Sequence, residues 1–206
     1  RSTHRGTLFP YTTLFRSLYT PRLSKYQYTK KLLLRLPPKE SYYSRIKEIV
    51  LKEQTYQALK ALASYRREED KSILLDALSH YDNENEDVDM KDDETNNALL
   101  AVTVWACQDF VPLLMGIRDY EIKKHDSSMP PRSKYLFEAV MAYNNQWAYN
   151  FIDATLALSS KKKEREYSSY ITMATSFHSA MLSHYNPRFA NLLRKYPGED
   201  FGDGYE

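Results

Sequence analysis

The chain is poor in cysteine and glycine, and both shortages restrict the folds it can adopt. Its single cysteine, Cys107, excludes an internal disulfide framework and any cysteine-rich zinc site. Five glycines among 206 residues fall well below average usage and disfavour a turn-rich all-β fold. No apolar run approaches the roughly 18 residues that a membrane-spanning helix needs, so the sequence predicts no membrane span.

The common sequence motifs of enzymes and metal sites are also missing. The chain contains no GxSxG, P-loop, GxGxxG or HExxH string. His178 and His184 lie six residues apart, whereas two metal ligands on one helical face lie three or four apart. We therefore predict a non-enzymatic protein with no catalytic, metal-binding or cofactor-binding residue and no cofactor. An all-α enzyme with a dispersed carboxylate site is the less favoured alternative.

The first residues need separate treatment. The segment TLFPYTTLFRS at 7–17 resembles the conceptual translation of a common short-read sequencing adapter. We interpret residues 1–17 as an assembly artefact, against the alternative of a genuine Tyr/Phe-rich arm. They hold three arginines and no acid, so the remainder carries 26 Lys and Arg against 27 Asp and Glu, a net charge of about −1. We expect the natural N-terminus to be missing, together with any signal peptide, so localisation is unknown, with the cytoplasm favoured.

One five-residue block recurs four times at nearly constant spacing. Each copy begins with alanine, continues with an aliphatic residue and ends in a flat ring. A period near 40 with two helices per unit is typical of a stacked helical-repeat array. We expect the rings of Tyr65, Trp105 and Tyr143 to fill the helix end or the groove beside the turn. The blocks ALASY, AVTVW, AVMAY and AMLSH begin at Ala61, Ala101, Ala139 and Ala180, with separations of 40, 38 and 41 residues.

Apolar residues on both sides of these blocks fall at helical spacing. A first helix is predicted over 41–52, and helix pairs follow it through the four blocks. Side-chain oxygens at the expected helix starts predict N-terminal caps. The predicted caps are Thr95 or Asn96, then Asp109, and finally Ser133.

The chain after residue 17 divides into a partial helical unit (18–53), helical repeats (54–196) and a loose tail (197–206). Within the repeats, the run DNENEDVDMKDDETNN at 82–97 holds eight acids and one lysine. Such a run buries too little apolar surface to offset its ordering entropy, so a disordered loop is predicted there. It lacks the central glycine and the final glutamate of a calcium loop, which disfavours metal binding.

The period, the paired helices and the recurring small-aliphatic block resemble the HEAT-like repeats of α-solenoid proteins. The resemblance covers about residues 54–196 and implies an all-α fold, a right-handed α-solenoid of about four antiparallel helix pairs. Members of this family often carry an aspartate and a basic residue in or before the second helix. Asp76 and Asp153 occupy near-equivalent places here, but no ladder of arginines accompanies them. One helix pair of this size leaves a face uncovered, so neighbouring pairs are expected to stack.

The extended surface of a helical array favours a binding function. Solenoids expose such a surface along one helix of each pair, and tyrosine and arginine are enriched at protein interfaces. We predict a scaffold for protein–protein interaction whose partner the sequence does not identify. The alternative for each candidate contact residue is an ordinary solvated turn residue. The candidates lie in turns of successive units: Tyr65, Arg66, Arg67, Asn144 and Asn145.

A nucleic-acid-binding helical repeat is the rival prediction. Residues 18–81 hold 13 Lys and Arg against seven acids, with tyrosines interleaved from Tyr26 to Tyr43. A basic surface with stacking rings is typical of proteins that bind single strands. The excess is modest, however, and the acidic run at 82–97 would repel phosphate. Nucleic acid is therefore the disfavoured partner.

Overall fold

The computed structural model describes residues 30, 32–82, 94–123, 132–161 and 167–197. Within these residues the protein has nine α-helices and no β-strand, so the prediction of an all-α protein is confirmed. The chain divides into two compact units, Arg1–Leu36 and Pro37–Glu206. In the first unit, Leu32 and Leu33 are helical and the helix ends before Pro37, because proline and the residue before it disfavour helical continuation.

The nine α-helices all belong to the second unit. They are Glu40–Lys52 (α1), Tyr56–Ala63 (α2), Lys71–Ser79 (α3), Glu94–Val102 (α4), Val111–Lys123 (α5), Ser133–Met141 (α6), Gln146–Lys161 (α7), Tyr167–Ser183 (α8) and Ala190–Lys195 (α9). Four short 3₁₀ turns adjoin three of these helices: Glu68–Asp70 and His80–Asp82 flank α3, Gln108–Phe110 precedes α5, and Pro187–Phe189 precedes α9.

Helix α1 presents one apolar face and ends where the chain becomes extended. Ile46, Ile49 and Val50 are buried on this face, as their helical spacing predicts. The helix stops at Lys52, since Glu53 takes extended backbone angles and donates its N–H to the carbonyl of Ile49. The predicted range 41–52 is therefore correct to within one residue.

The same order of elements recurs around each five-residue block. One α-helix holds the alanine, a turn follows, and the second helical segment begins three residues after the ring. In three of the four cases this segment opens with a 3₁₀ turn, whereas α7 begins directly at Gln146. An alanine at the head of the block allows neighbouring helices to approach closely. All four alanines are buried: Ala61, Ala101, Ala139 and Ala180.

The helices that carry the blocks pack against one another in chain order. Helix α2 contacts α4, α4 contacts α6, and α6 contacts α8. Helices α4, α6 and α8 also each contact the helix directly before them in the chain, which is α3, α5 and α7, respectively. Between α6 and α8, the buried rings of Phe137 and Phe177 meet edge to face with centroids 5.5 Å apart. Helix α1 also contacts α2.

The first and third of the predicted helix caps are wrong, because their side chains bond to a neighbouring helix. Thr95 and Asn96 lie inside α4, which begins at Glu94, and Ser133 is the first residue of α6. Both hydroxyls are buried and bond to a neighbouring helix instead. Thr95 Oγ1 donates to the Ala77 carbonyl at 3.2 Å, and Ser133 Oγ donates to Glu121 Oε2 at 3.1 Å.

Asp109 also lies inside a helical segment instead of capping one. It is the middle residue of the 3₁₀ turn Gln108–Phe110, whose N-cap is Cys107. Its carboxylate pairs with the ammonium group of Lys71, 38 residues earlier. An ion pair with Lys71, the first residue of α3, therefore takes the place of the predicted capping bond.

Both ends of the predicted acidic loop are helical. Residues 94–97 are the first turn of α4, and Asp82 ends a 3₁₀ turn, so the predicted loop 82–97 is wrong at both ends. Its middle, 83–93, lies outside the described residues. Residues 1–17, which we interpret as an artefact, also lie outside the described residues. So do residues 18–29 of the partial unit and the tail beyond Pro197.

Candidate functional site: the turn edge

The turns between paired helices are joined to one another by hydrogen bonds. The Arg66 guanidinium donates to the Val104 carbonyl at 3.1 Å, which links the first turn to the second. The Tyr143 hydroxyl donates to the Cys107 carbonyl, and Asn186 Nδ2 donates to Asn144 Oδ1 at 3.1 Å. We call these four turns together (residues 64–67, 103–107, 142–145 and 184–186) the turn edge.

Two positions of the turn edge take left-handed backbone angles. Arg66 has φ 52° and Asn144 has φ 47°, and each directly follows the ring of its block. In both turns the N–H of the left-handed residue bonds to a carbonyl three residues earlier, Ala63 or Met141. Asparagine tolerates this region, whereas a residue such as arginine pays about 1 kcal/mol for it. The conformation turns the chain from one helix of the pair towards the next.

The first turn is anchored on α1 by Tyr65. Its hydroxyl donates to the Lys39 carbonyl at 2.8 Å and accepts the Lys39 N–H at 3.1 Å. Its ring meets Tyr43 edge to face at 5.3 Å. Arg67 completes the contact, because its guanidinium lies 3.7 Å from the Tyr43 ring centroid and pairs with Glu40. Tyr65 and Arg67 are thus committed to contacts within the protein.

A buried carboxylate lies behind this turn. Asp70 is fully buried and accepts hydrogen bonds from the Tyr43 hydroxyl at 2.9 and 3.0 Å. It also pairs with Lys47 at 2.8 Å. The hydrogen bond to Asp70, with a second one to Tyr43, raises the pKa of Lys47. Burial, followed by the hydrogen bond to Glu69, raises the pKa of Tyr43. These groups fix α1 to the start of α3, and the Asp70 carboxylate is occupied by bonds within the protein.

A cleft of about 430 Å³ opens where the first three turns converge. Its lining comes from all three turns and includes Arg66, Trp105, Ala106, Gln108, Tyr143 and Asn145. Of the residues that line it, Arg66 carries the only charged side chain. Trp105 is largely buried and packs edge to face on Phe110, with centroids 5.8 Å apart.

The tyrosine of the third turn is shielded within the cleft wall. Burial, followed by the nearby charges of Cys107 and Asp109, raises the pKa of Tyr143. Its hydroxyl is therefore a proton donor to the Cys107 carbonyl at neutral pH, and its role is to hold two turns together. Beside it, Asn145 Oδ1 accepts the Ala148 N–H at 2.9 Å and caps the start of α7.

The five predicted contact residues therefore fall into three environments. Tyr65 and Arg67 bind α1, Asn144 binds the fourth turn, and Arg66 and Asn145 line the cleft. No sequence pattern indicated that Gln108 and Ala106 also line the cleft. Trp105 could have been found from its place in the repeated block, where its indole was expected only to fill a groove.

No family model, no curated protein and no solved structure matches this chain. Among the described residues, His, Cys, Asp and Glu side chains form no group of three or more that could hold a metal ion. No helix in the same part of the chain combines the length and the apolar character needed to span a membrane.

Proposed function

We propose that this protein is a non-enzymatic scaffold, a HEAT-like α-solenoid of about four helix pairs whose turn edge binds another protein. The handedness of the solenoid remains a prediction from the family resemblance. The stacked arrangement is supported by the chain-order contacts among α2, α4, α6 and α8. In a solenoid each pair contacts its neighbours, and this produces an extended surface.

Contacts between residues about 40 positions apart also support the stacking. The second helical segments are linked by Lys71 to Asp109 and by Lys195 to Asp153, the latter at 2.7 Å. Tyr196 adds a hydroxyl hydrogen bond to Asp153 Oδ1 at 2.9 Å. Burial opposes ionisation of Asp153, but the bonds from Lys195 and Tyr196 outweigh it and lower the pKa of the carboxyl. These contacts join residues 38 and 42 positions apart, close to the period of the blocks, and so support the proposed stacking.

The observation that carries the binding function is the cleft across three successive turns. It brings Arg66 and Asn145 together although 79 positions separate them in the sequence. A solvent-accessible concave site with an arginine and an aromatic wall has the composition of a protein-contact site. The neighbouring groups with raised pKa, Tyr143 and Lys71, are occupied by structural bonds.

The test is affinity capture with a variant that alters the charge of the cleft, and circular dichroism verifies that the variant is folded. We choose Arg66→Glu with Asn145→Asp, because aspartate retains the oxygen that caps α7. Arg67 is left unchanged, since its pairing with Glu40 and Tyr43 makes any substitution there a change in stability as well. The full chain is used to capture partners, and the dissociation constant is then measured with each purified partner.

The matched control carries the same change in charge outside the cleft. Arg188→Glu with Asn150→Asp alters two exposed positions, and aspartate keeps the oxygen that accepts from Gln146. We expect the cleft variant to bind its partner at least tenfold more weakly and the control to bind as the unaltered protein does. Equal binding by both variants would remove the turn edge from the proposal. Capture of nucleic acid with a steep salt dependence would favour the rival function.

A further inference from the structure

We propose that the cleft binds an extended, acidic peptide segment of the partner, with a carboxylate of that segment placed on Arg66. This inference rests on the proposed function and adds the chemistry of what is bound. It follows from the charge and the hydrogen-bonding capacity of the cleft wall. Both are complementary to a chain rich in aspartate or glutamate.

Among the described residues, no carboxylate balances the charge of Arg66. Its guanidinium makes one side-chain hydrogen bond, to the neutral Val104 carbonyl, and no described carboxylate pairs with it. Nearby cations differ in this respect, since Arg67 pairs with Glu40 and Glu69, and Lys71 pairs with Glu68 and Asp109. A guanidinium has five N–H donors in a planar fork that matches a carboxylate. The bond to Val104 therefore holds the group in place while its remaining donors stay available.

Three other polar side chains of the cleft wall, Trp105, Gln108 and Asn145, can donate hydrogen bonds to a ligand. The indole N–H of Trp105 can only donate, and no acceptor for it occurs in the described part of the chain. The Gln108 amide is exposed and makes no side-chain hydrogen bond to a described residue. The oxygen of Asn145 is occupied by the helix cap, so its amide N–H groups are what it offers a ligand. No aspartate or glutamate lines the cleft.

The main chain of the second turn favours a peptide over a compact anion. Trp105, Ala106 and Cys107 have no regular secondary structure, and the Cys107 N–H bonds back to the Trp105 carbonyl. Among the described residues, neither the N–H nor the carbonyl of Ala106 has a hydrogen-bond partner. A peptide backbone carries both a donor and an acceptor, which an isolated carboxylate or phosphate lacks. An extended segment therefore matches this wall through its main chain and Arg66 through a side chain.

The test measures binding of a defined acidic peptide to the full chain by fluorescence anisotropy. The probe is a fluorescein-labelled 12-residue peptide of alternating glutamate and serine, and its partner probe has glutamine in place of glutamate. Arg66→Gln removes the charge, and Arg188→Gln removes a charge from an exposed arginine outside the cleft. Arg66→Lys keeps the charge but loses the planar fork. Circular dichroism verifies that each variant is folded.

We expect Arg66→Gln to weaken binding of the glutamate peptide about tenfold, which corresponds to the loss of one charge-assisted pair. Arg188→Gln should stay within twofold of the unaltered protein, and Arg66→Lys should fall between them. The proposal is overturned if the glutamate peptide does not bind, if the glutamine peptide binds equally well, or if both arginine variants lose affinity alike. It is also overturned if a single-stranded oligonucleotide binds Arg66 more tightly than the peptide does. A partner captured through the cleft by a segment without acids would end this inference and leave the proposed function intact.

Discussion

Asp70 is a single buried carboxylate that joins two elements far apart in sequence. Its three bonds to Tyr43 and Lys47 hold α1 on the turn before α3. We predict that Asp70→Asn lowers the free energy of unfolding by about 2 kcal/mol, because charge-assisted bonds are weakened while Lys47 remains partly solvated. The measurement is urea denaturation followed by circular dichroism. Asp76→Asn, at an exposed position of α3, is the control and should change stability by less than about 0.5 kcal/mol.

Tyr143 gives a prediction about pH. Because its pKa is raised in the folded state, the unfolded chain loses this proton first as the pH rises through about 10, the ordinary value for tyrosine. The stability that the hydroxyl contributes is therefore fully present below that pH and is lost above it. We expect Tyr143→Phe to cost about 1 kcal/mol at pH 7 and progressively less from pH 10 upwards.

The measurement for Tyr143 is the difference in unfolding free energy between the two proteins at pH 7, 9, 10 and 11. Taking the difference removes the alkaline contributions that other groups with raised pKa, such as Lys47, make to both proteins. Tyr185→Phe, at an exposed tyrosine, should change stability by less than about 0.5 kcal/mol at pH 7. A difference for Tyr143→Phe that stays constant or grows with pH would contradict the buried hydroxyl.

At the scale of elements, the contact between α6 and α8 depends on a pair of rings. Phe137 and Phe177 are fully buried and meet edge to face. We predict that Phe137→Leu and Phe177→Leu each destabilise the protein, and that a double-mutant cycle gives a coupling of about 1 kcal/mol. The cycle is measured by urea denaturation. Leu182→Ala is the control, because that side chain is 89% exposed at the end of α8 and should change stability little. Additive single changes would mean that the two rings do not interact.

The boundaries of elements were predictable only in part. The spacing of Ile46, Ile49 and Val50 was sufficient for α1, because one buried face at helical period requires no other information. The predicted starts of α4 and α6 were wrong, because a threonine or serine directly before a helix is usually its N-terminal cap. In the fold, Thr95 and Ser133 find partners on α3 and α5 instead.

At the scale of the whole molecule, a stacked arrangement predicts local unfolding. If each helix pair is stabilised mainly by its neighbours, damage at one end should not spread through the chain. We expect Leu192→Ala, which removes a buried side chain from α9, to speed amide hydrogen exchange in α8 and α9 and leave α2 unchanged. Leu59→Ala in α2 is the mirror control. Hydrogen exchange with mass spectrometry resolves the helices, and a uniform increase would indicate one cooperative core instead.

The sequence by itself determined the helical class and the spacing of the four alanine blocks. Helical period and a block that recurs near every 40 residues are local properties, and burial follows them closely. Ala61, Ala101, Ala139 and Ala180 are all buried, and each lies in the last turn of its helix. The composition also removed membrane spans and disulfides from consideration.

Only the tertiary structure decided which turn residues are available for binding. Arg66 and Arg67 are neighbours with the same side chain, yet one lines the cleft and the other is tied to Glu40 and Tyr43. The difference comes from the left-handed backbone at Arg66, which directs consecutive side chains towards different partners. Those partners lie about 27 residues before and 38 residues after the turn, so no local pattern encodes the choice. Contacts between residues so far apart in the sequence exist only once the helices are packed together.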